Sequence, residues 1–125
     1  MDWQKTLWIG LAGSLGALAR YWLGGLAQKL GAGFPWSTLI VNGLGCLLFG
    51  VVWALAEQRG LISVELRTIL LVGFMGAFTT FSTFAFETEA FLRDGQYGLA
   101  AGNVAAQVAL GLAAMIGGQA LGRLF

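Results

Sequence analysis

A chain of 125 residues that is 58% hydrophobic and 10% charged, with mean hydropathy +0.78, lies far from the roughly 25% charged residues of a soluble domain. The composition is that of a membrane protein, and a net charge of +1 with no basic stripe argues against a nucleic-acid partner. One cysteine, Cys46, and no histidine exclude a disulfide framework and a thiol or imidazole metal site.

Segments 6–28, 37–56, 68–86 and 97–122 approach or exceed the roughly 20 residues that a membrane-crossing helix needs. The expected fold is an all-α membrane protein of four transmembrane helices, a single domain over 1–125 with no room for a soluble catalytic unit. The first segment lacks a basic leader and outruns a signal-peptide core, so it reads as a span rather than a cleaved signal. Gly10, Gly13, Ala17 and Gly24 follow one face of it, and small residues let helix backbones approach closely in lipid. That approach serves either packing within the chain or contact with another copy. Arg20 is the only charge in this segment. Near the end of the span it can snorkel to the interface, or form an electropositive vestibule that draws anions inward.

Gly31 to Pro35 form a turn, and Pro35 marks the entry to the second span. Thr38 and Asn42 lie four residues apart and share a helical face, making a polar track rather than an isolated amide. A lone asparagine in such a helix is commonly a hydrogen bond between helices. The charged stretch 57–67 reads as a solvated connection. The fourth span carries Asn103, Gln107 and Gly111 at spacings of four, with Gly98-xxx-Gly102 and Gly118-xxx-Gly122 as weak close-packing signals.

The third span holds the most informative run, Gly73-Phe-Met-Gly-Ala-Phe-Thr-Thr-Phe-Ser-Thr-Phe84. Crowded hydroxyls and glycines inside an apolar span predict a helix broken near 76–82 and lining something other than lipid, because lipid cannot satisfy stray polar groups. Glu87 is expected at the end of this span. With no carboxylate deep in any span, a path of hydroxyl and amide donors suits a small anion better than a cation, since those donors must replace the anion's water. Phe81 and Phe84, three apart, can turn the positive edges of their rings toward such an ion, or simply pack. Carbonyls released at the break, those of Gly76 and Thr79, could hold Na⁺ between two copies.

Even numbers of spans place both termini on one side. Lys5, Arg59, Arg67 and Arg123 then face Lys29 and Arg93 across the membrane, with Arg20 near the latter. The bias is too small to fix an orientation, so an antiparallel pair becomes feasible.

These residues resemble the Fluc (CrcB) fluoride channels over essentially the whole chain. The resemblance rests on Gly73-Phe-x-Gly-x-x-Thr-Thr-Phe-Ser-Thr-Phe84-x-x-Glu87, Thr38-Leu-x-Val-Asn42 and Gly16-Ala-x-x-Arg20-Tyr21. It implies a dual-topology antiparallel homodimer in the bacterial plasma (inner) membrane, with two fluoride pores at its interface, releasing cytoplasmic fluoride passively. By the same resemblance, Phe81 and Phe84 are the pore-lining aromatic box and Asn42 is their amide partner. Thr38, Ser82, Thr83, Glu87, Asn103 and Gln107 continue the polar lining, Arg20 sits at the vestibule, and the Gly76 and Thr79 carbonyls hold a structural Na⁺ that is not transported. The chain departs from the family pattern at Ala77, where glycine is frequent, at Ala85, where serine is, and at Asn103 and Gln107. A small multidrug-type proton-coupled exporter shares the size and span number but needs an acid in the first span, where this chain has Arg20. A non-transporting packing subunit would explain the glycines but not the hydroxyls beside Phe81 and Phe84. No nucleophile–base set points to an enzyme.

Overall fold

The computed structural model describes residues 2–125. The Asp2 carboxylate accepts hydrogen bonds from the Gln4 and Lys5 amides and so starts helix α1 (Trp3–Ala27). A short 3₁₀ turn (Gln28–Leu30) leads to helix α2, which runs from Trp36 and widens into a π-helical end at Ala54–Gln58. Helix α3 covers 64–78. It begins with a Ser63 cap on the Leu66 amide, is π-helical over Ile69–Met75, and closes with the single turn Gly76–Phe78. Thr79 and Thr80 are extended, and helix α4 (Phe81–Arg93) restarts after them. Helix α5 (Tyr97–Gly122) completes the chain. No strand occurs among the described residues.

Three helical runs are long and apolar enough to cross a membrane: Trp36–Gln58, Val64–Arg93 and Tyr97–Gly122. Helix α1, at 25 residues or about 37 Å, matches them in length but not in apolarity, and Arg20 is one reason. The helices bury little of themselves. Trp3, Leu7, Trp22 and Ile116 all stand outward, as side chains facing lipid do and as a water-soluble fold could not tolerate.

Because lipid is as apolar as leucine, close packing holds the helices together. The most extensive contact joins α2 to α5, and α1 lies along α3. Gly118 shows why: a Cβ there would overlap the Leu47 carbonyl of α2, so only glycine permits this approach. Gly16 on α1 meets the Phe74 carbonyl of α3 in the same way. On α1, then, Gly13, Gly16 and Gly24 pack within the chain, whereas Gly10 meets nothing. Gly122 packs on Val51, but Gly98 and Gly102 face open space. At the far end, Arg59 donates to the Phe125 carbonyl (3.0 Å) and Arg123 to Gln58 (2.7 Å), which ties the C-terminus to the 58–59 turn.

One boundary differs from expectation. The helix that carries the third span does not stop at 86 but runs on to Arg93, so Glu87 is not at the helix end. Its last turns carry a Glu89–Arg93 pair at i,i+4 (2.9 Å), and Gly95, at φ +72°, supplies the left-handed residue that ends it. Glu87 therefore sits within a helix, against α2.

Candidate functional site

The break is built from two side chains and a glycine. The backbone leaves the helix at Thr79, and the Thr80 hydroxyl accepts from the Thr83 amide (3.2 Å), capping α4. That bond takes the donor that would otherwise serve the Thr79 carbonyl. From α2, Asn42 reaches across and pairs with the Thr80 peptide in both directions: Oδ1 accepts from the Thr80 amide (2.8 Å) and Nδ2 donates to the Thr80 carbonyl (3.1 Å). The side chain thus acts as one rung of a β-ladder. With the Thr80 amide engaged there, the Gly76 carbonyl loses its i+4 donor, and Gly76 lies exposed. Gly45 makes the approach feasible, since a Cβ there would overlap the Thr79 methyl.

A groove of about 370 Å³ opens at this point. Asn42, Gly76, Thr79, Thr80, Phe81, Phe84 and Gln107 line one part of it, and Cys46, Phe49, Met75 and Met115 line its apolar floor. The Phe81 and Phe84 rings meet edge to face with centroids 5.5 Å apart. Phe81 is 78% exposed, so the groove wall it forms faces outward from the chain. Beside the rings, the Thr80 hydroxyl lies 2.9 Å from that of Thr83 and 3.4 Å from that of Ser82, giving a short hydroxyl cluster.

A polar seam extends from the groove between α2, α4 and α5. Asn42 Nδ2 also donates to Gln107 Oε1 (3.2 Å). Buried Thr38, one turn before Asn42, donates to Glu87 Oε1 (2.6 Å). Fully buried Asn103 donates to the Thr88 hydroxyl (3.0 Å). Three buried polar atoms of this seam have no partner: Glu87 Oε2, Asn103 Oδ1 and Gln107 Nε2.

Nearly all the residues singled out in the sequence therefore converge on the break or on the seam beside it. Arg20 stands apart, in a second hollow with Tyr21, Gln28, Lys29 and Ser37, yet its guanidinium makes a long contact (3.5 Å) to the Thr79 carbonyl. Sequence reasoning missed Thr80 as the pivot of the break, although a threonine directly before the apolar Phe81 is a helix-start signal. It also missed Thr88, for which the sequence carries no signal.

The family described as CrcB-like protein, Camphor Resistance (CrcB), matches residues 7–119. The chain belongs to the CrcB family. A protein of Nitrosococcus oceani named fluoride-specific ion channel FluC is 63% identical over 111 residues, covering 88% of this chain and 89% of its own. Its namesakes in Solidesulfovibrio magneticus and Thermus thermophilus are 53% and 50% identical, over 97% and 78% of this chain and 98% and 78% of theirs. Membership of the CrcB family and three membrane-capable helices make this a multi-pass membrane protein.

Proposed function

We propose that this CrcB-family chain is a fluoride-selective passive channel, and not an enzyme, that lowers cytoplasmic fluoride from the bacterial inner membrane. The observation that carries the reading is the edge-paired Phe81 and Phe84 lining one groove with the Asn42–Gln107 amide pair. Ring edges, amide N–H groups and the hydroxyls of Ser82 and Thr83 offer a dehydrated anion positive partners on several sides. Thr38, Glu87 and Asn103 form the polar seam that leads on from this groove, and Arg20 supplies the positive entrance. The names of the relatives agree with fluoride as the ion.

In this reading all four spans (α1, α2, the broken α3–α4 and α5) cross the membrane, and two copies assemble antiparallel, each groove closed by the other chain into a pore. The open groove and the exposed Phe81 support a second copy, and the weak charge bias permits both orientations. The break also suits a structural Na⁺. The Gly76 and Thr79 carbonyls have lost their helical donors, and hard oxygen ligands fit such an ion. Two carbonyls from each chain would make four, with Thr79 shared with Arg20. Such an ion would fix the two breaks against each other.

Currents across a planar bilayer test this. Their reversal potential should follow the fluoride gradient and ignore chloride and pH gradients. A reversal potential set by the proton gradient would indicate an exchanger instead.

A further inference from the structure

We infer that Thr88 is a positioning residue: its hydroxyl, bonded to Asn103, fixes the rotation of helix α4 and with it the direction of the Phe84 ring. The inference rests on the fluoride reading above and adds to it a hold on the rings from a side chain outside the groove lining.

Helix α4 carries Phe81 and Phe84, yet none of its residues is buried, and within the chain it packs chiefly on α5. Lipid is as apolar as the side chains it would cover, so apolar burial does little to stop such a helix rolling about its axis. Polar bonds must stop it instead. Phe81, Phe84 and Thr88 are spaced by three and four, so they follow one helical face, with Thr88 a single turn beyond Phe84. Whatever fixes Thr88 in rotation therefore fixes both rings.

Two bonds in series hold Thr88. Its hydroxyl donates to the Phe84 carbonyl (2.8 Å) and accepts from Asn103 Nδ2 (3.0 Å). A hydroxyl has one proton and two lone pairs. The Phe84 carbonyl can only accept, so the proton goes there and a lone pair faces Asn103. This settles which end of the Asn103 amide is nitrogen. Each bond polarises the next, and the series ends on the backbone of the residue whose ring lines the groove. Asn103 is fully buried, though exposed residues flank it on α5, and its bond to Thr88 lies within one chain. A second copy on the outer face of α4 leaves that bond intact. The adjacent Thr38–Glu87 bond grips α4 from α2, about 100° round the helix. Held from two sides by two different helices, α4 has no free rotation.

Three variants separate positioning from plain stability. Thr88→Val keeps the shape but strands the buried Asn103 donor; Thr88→Ser keeps the hydroxyl; Thr88→Val with Asn103→Leu replaces both partners by apolar groups. Ring position is read from the ¹⁹F resonance of protein carrying 4-fluorophenylalanine at position 84, stability from thermal unfolding in detergent, and flux from liposomes. Thr88→Val should unfold earlier, shift or broaden the resonance, and lower fluoride efflux roughly 2- to 10-fold, the range for one lost hydrogen bond. Thr88→Ser should match wild type in all three. The double variant should regain stability, since no donor is left stranded. Its resonance and efflux should stay perturbed, because the link to Phe84 is still missing. A threonine that served stability alone would recover both. Recovery of resonance and efflux in the double variant, or an unperturbed resonance in Thr88→Val, overturns the inference. So does a Thr88→Ser variant as impaired as Thr88→Val, since the hydroxyl would then be immaterial. If Thr88→Val fails to assemble, the double variant carries the test. Absence of fluoride efflux from wild-type protein defeats the channel reading itself, and the resonance still judges the hold on Phe84 separately.

Discussion

Replacing Phe81 or Phe84 with isoleucine separates the ring's role in the path from its role in the fold. Phe81 is 78% exposed and its aromatic partner is Phe84, at 5.5 Å, so an apolar isoleucine costs the chain mainly the edge-to-face pair. That pair is worth about 0.5–1.5 kcal/mol. Phe84 is half-buried and costs somewhat more. The effect on flux should be far larger. An aliphatic side chain has no positive edge to offer a dehydrated anion. If that loss resembles one hydrogen bond to a charged group, about 1.5–3 kcal/mol, flux falls roughly 10- to 150-fold. Efflux from liposomes measured with a fluoride electrode reads the second effect; size-exclusion chromatography and thermal unfolding in detergent read the first. Both variants should give well-folded assemblies with collapsed flux. Wild-type flux in both variants would refute the reasoning and return the two rings to plain packing.

Other consequences follow from the packing and the break. Gly118→Ala should lower the stability of the folded chain by about 1–3 kcal/mol, because its methyl meets the Leu47 backbone, which can yield only by moving a helix; an unchanged unfolding midpoint would contradict this. Thr80→Val keeps the shape but loses the cap on Thr83, costing about 1 kcal/mol, while Thr80→Ser should behave as wild type. Equal stability of the two variants would remove the cap from the account. Replacing Na⁺ with a large organic cation throughout purification should slow fluoride flux, and re-addition of Na⁺ should restore it. Flux indifferent to Na⁺ would take Gly76 and Thr79 out of any cation site.

The place of the break was legible because its cause is local: glycines and four hydroxyl residues cannot continue a lipid-facing helix, and the backbone does depart at Thr79 and Thr80. The shared face of Thr38 and Asn42 was legible too, from helical periodicity alone. What those residues hold was not. Asn42 pairs with a peptide 38 positions away, and Gln107 with Asn42 across 65, and no local pattern encodes such partners. Glu87 looked like a charge at the end of its helix, whereas the helix runs on to Arg93 and Thr38 of α2 donates to that carboxylate. The π-helical stretches Ala54–Gln58 and Ile69–Met75 carry no composition that distinguishes them from α-helix. The second of these leads into the break, so the widened helix and the released carbonyls are neighbours.

The central claim is fluoride selectivity, and it is tested most directly by efflux from liposomes loaded with fluoride or chloride, with valinomycin clamping the membrane potential to that of K⁺. The account predicts rapid, complete release of fluoride on unblocking the potential and retention of chloride in the same vesicles. Retention of fluoride by vesicles that hold folded protein, or release of both ions alike, would contradict it.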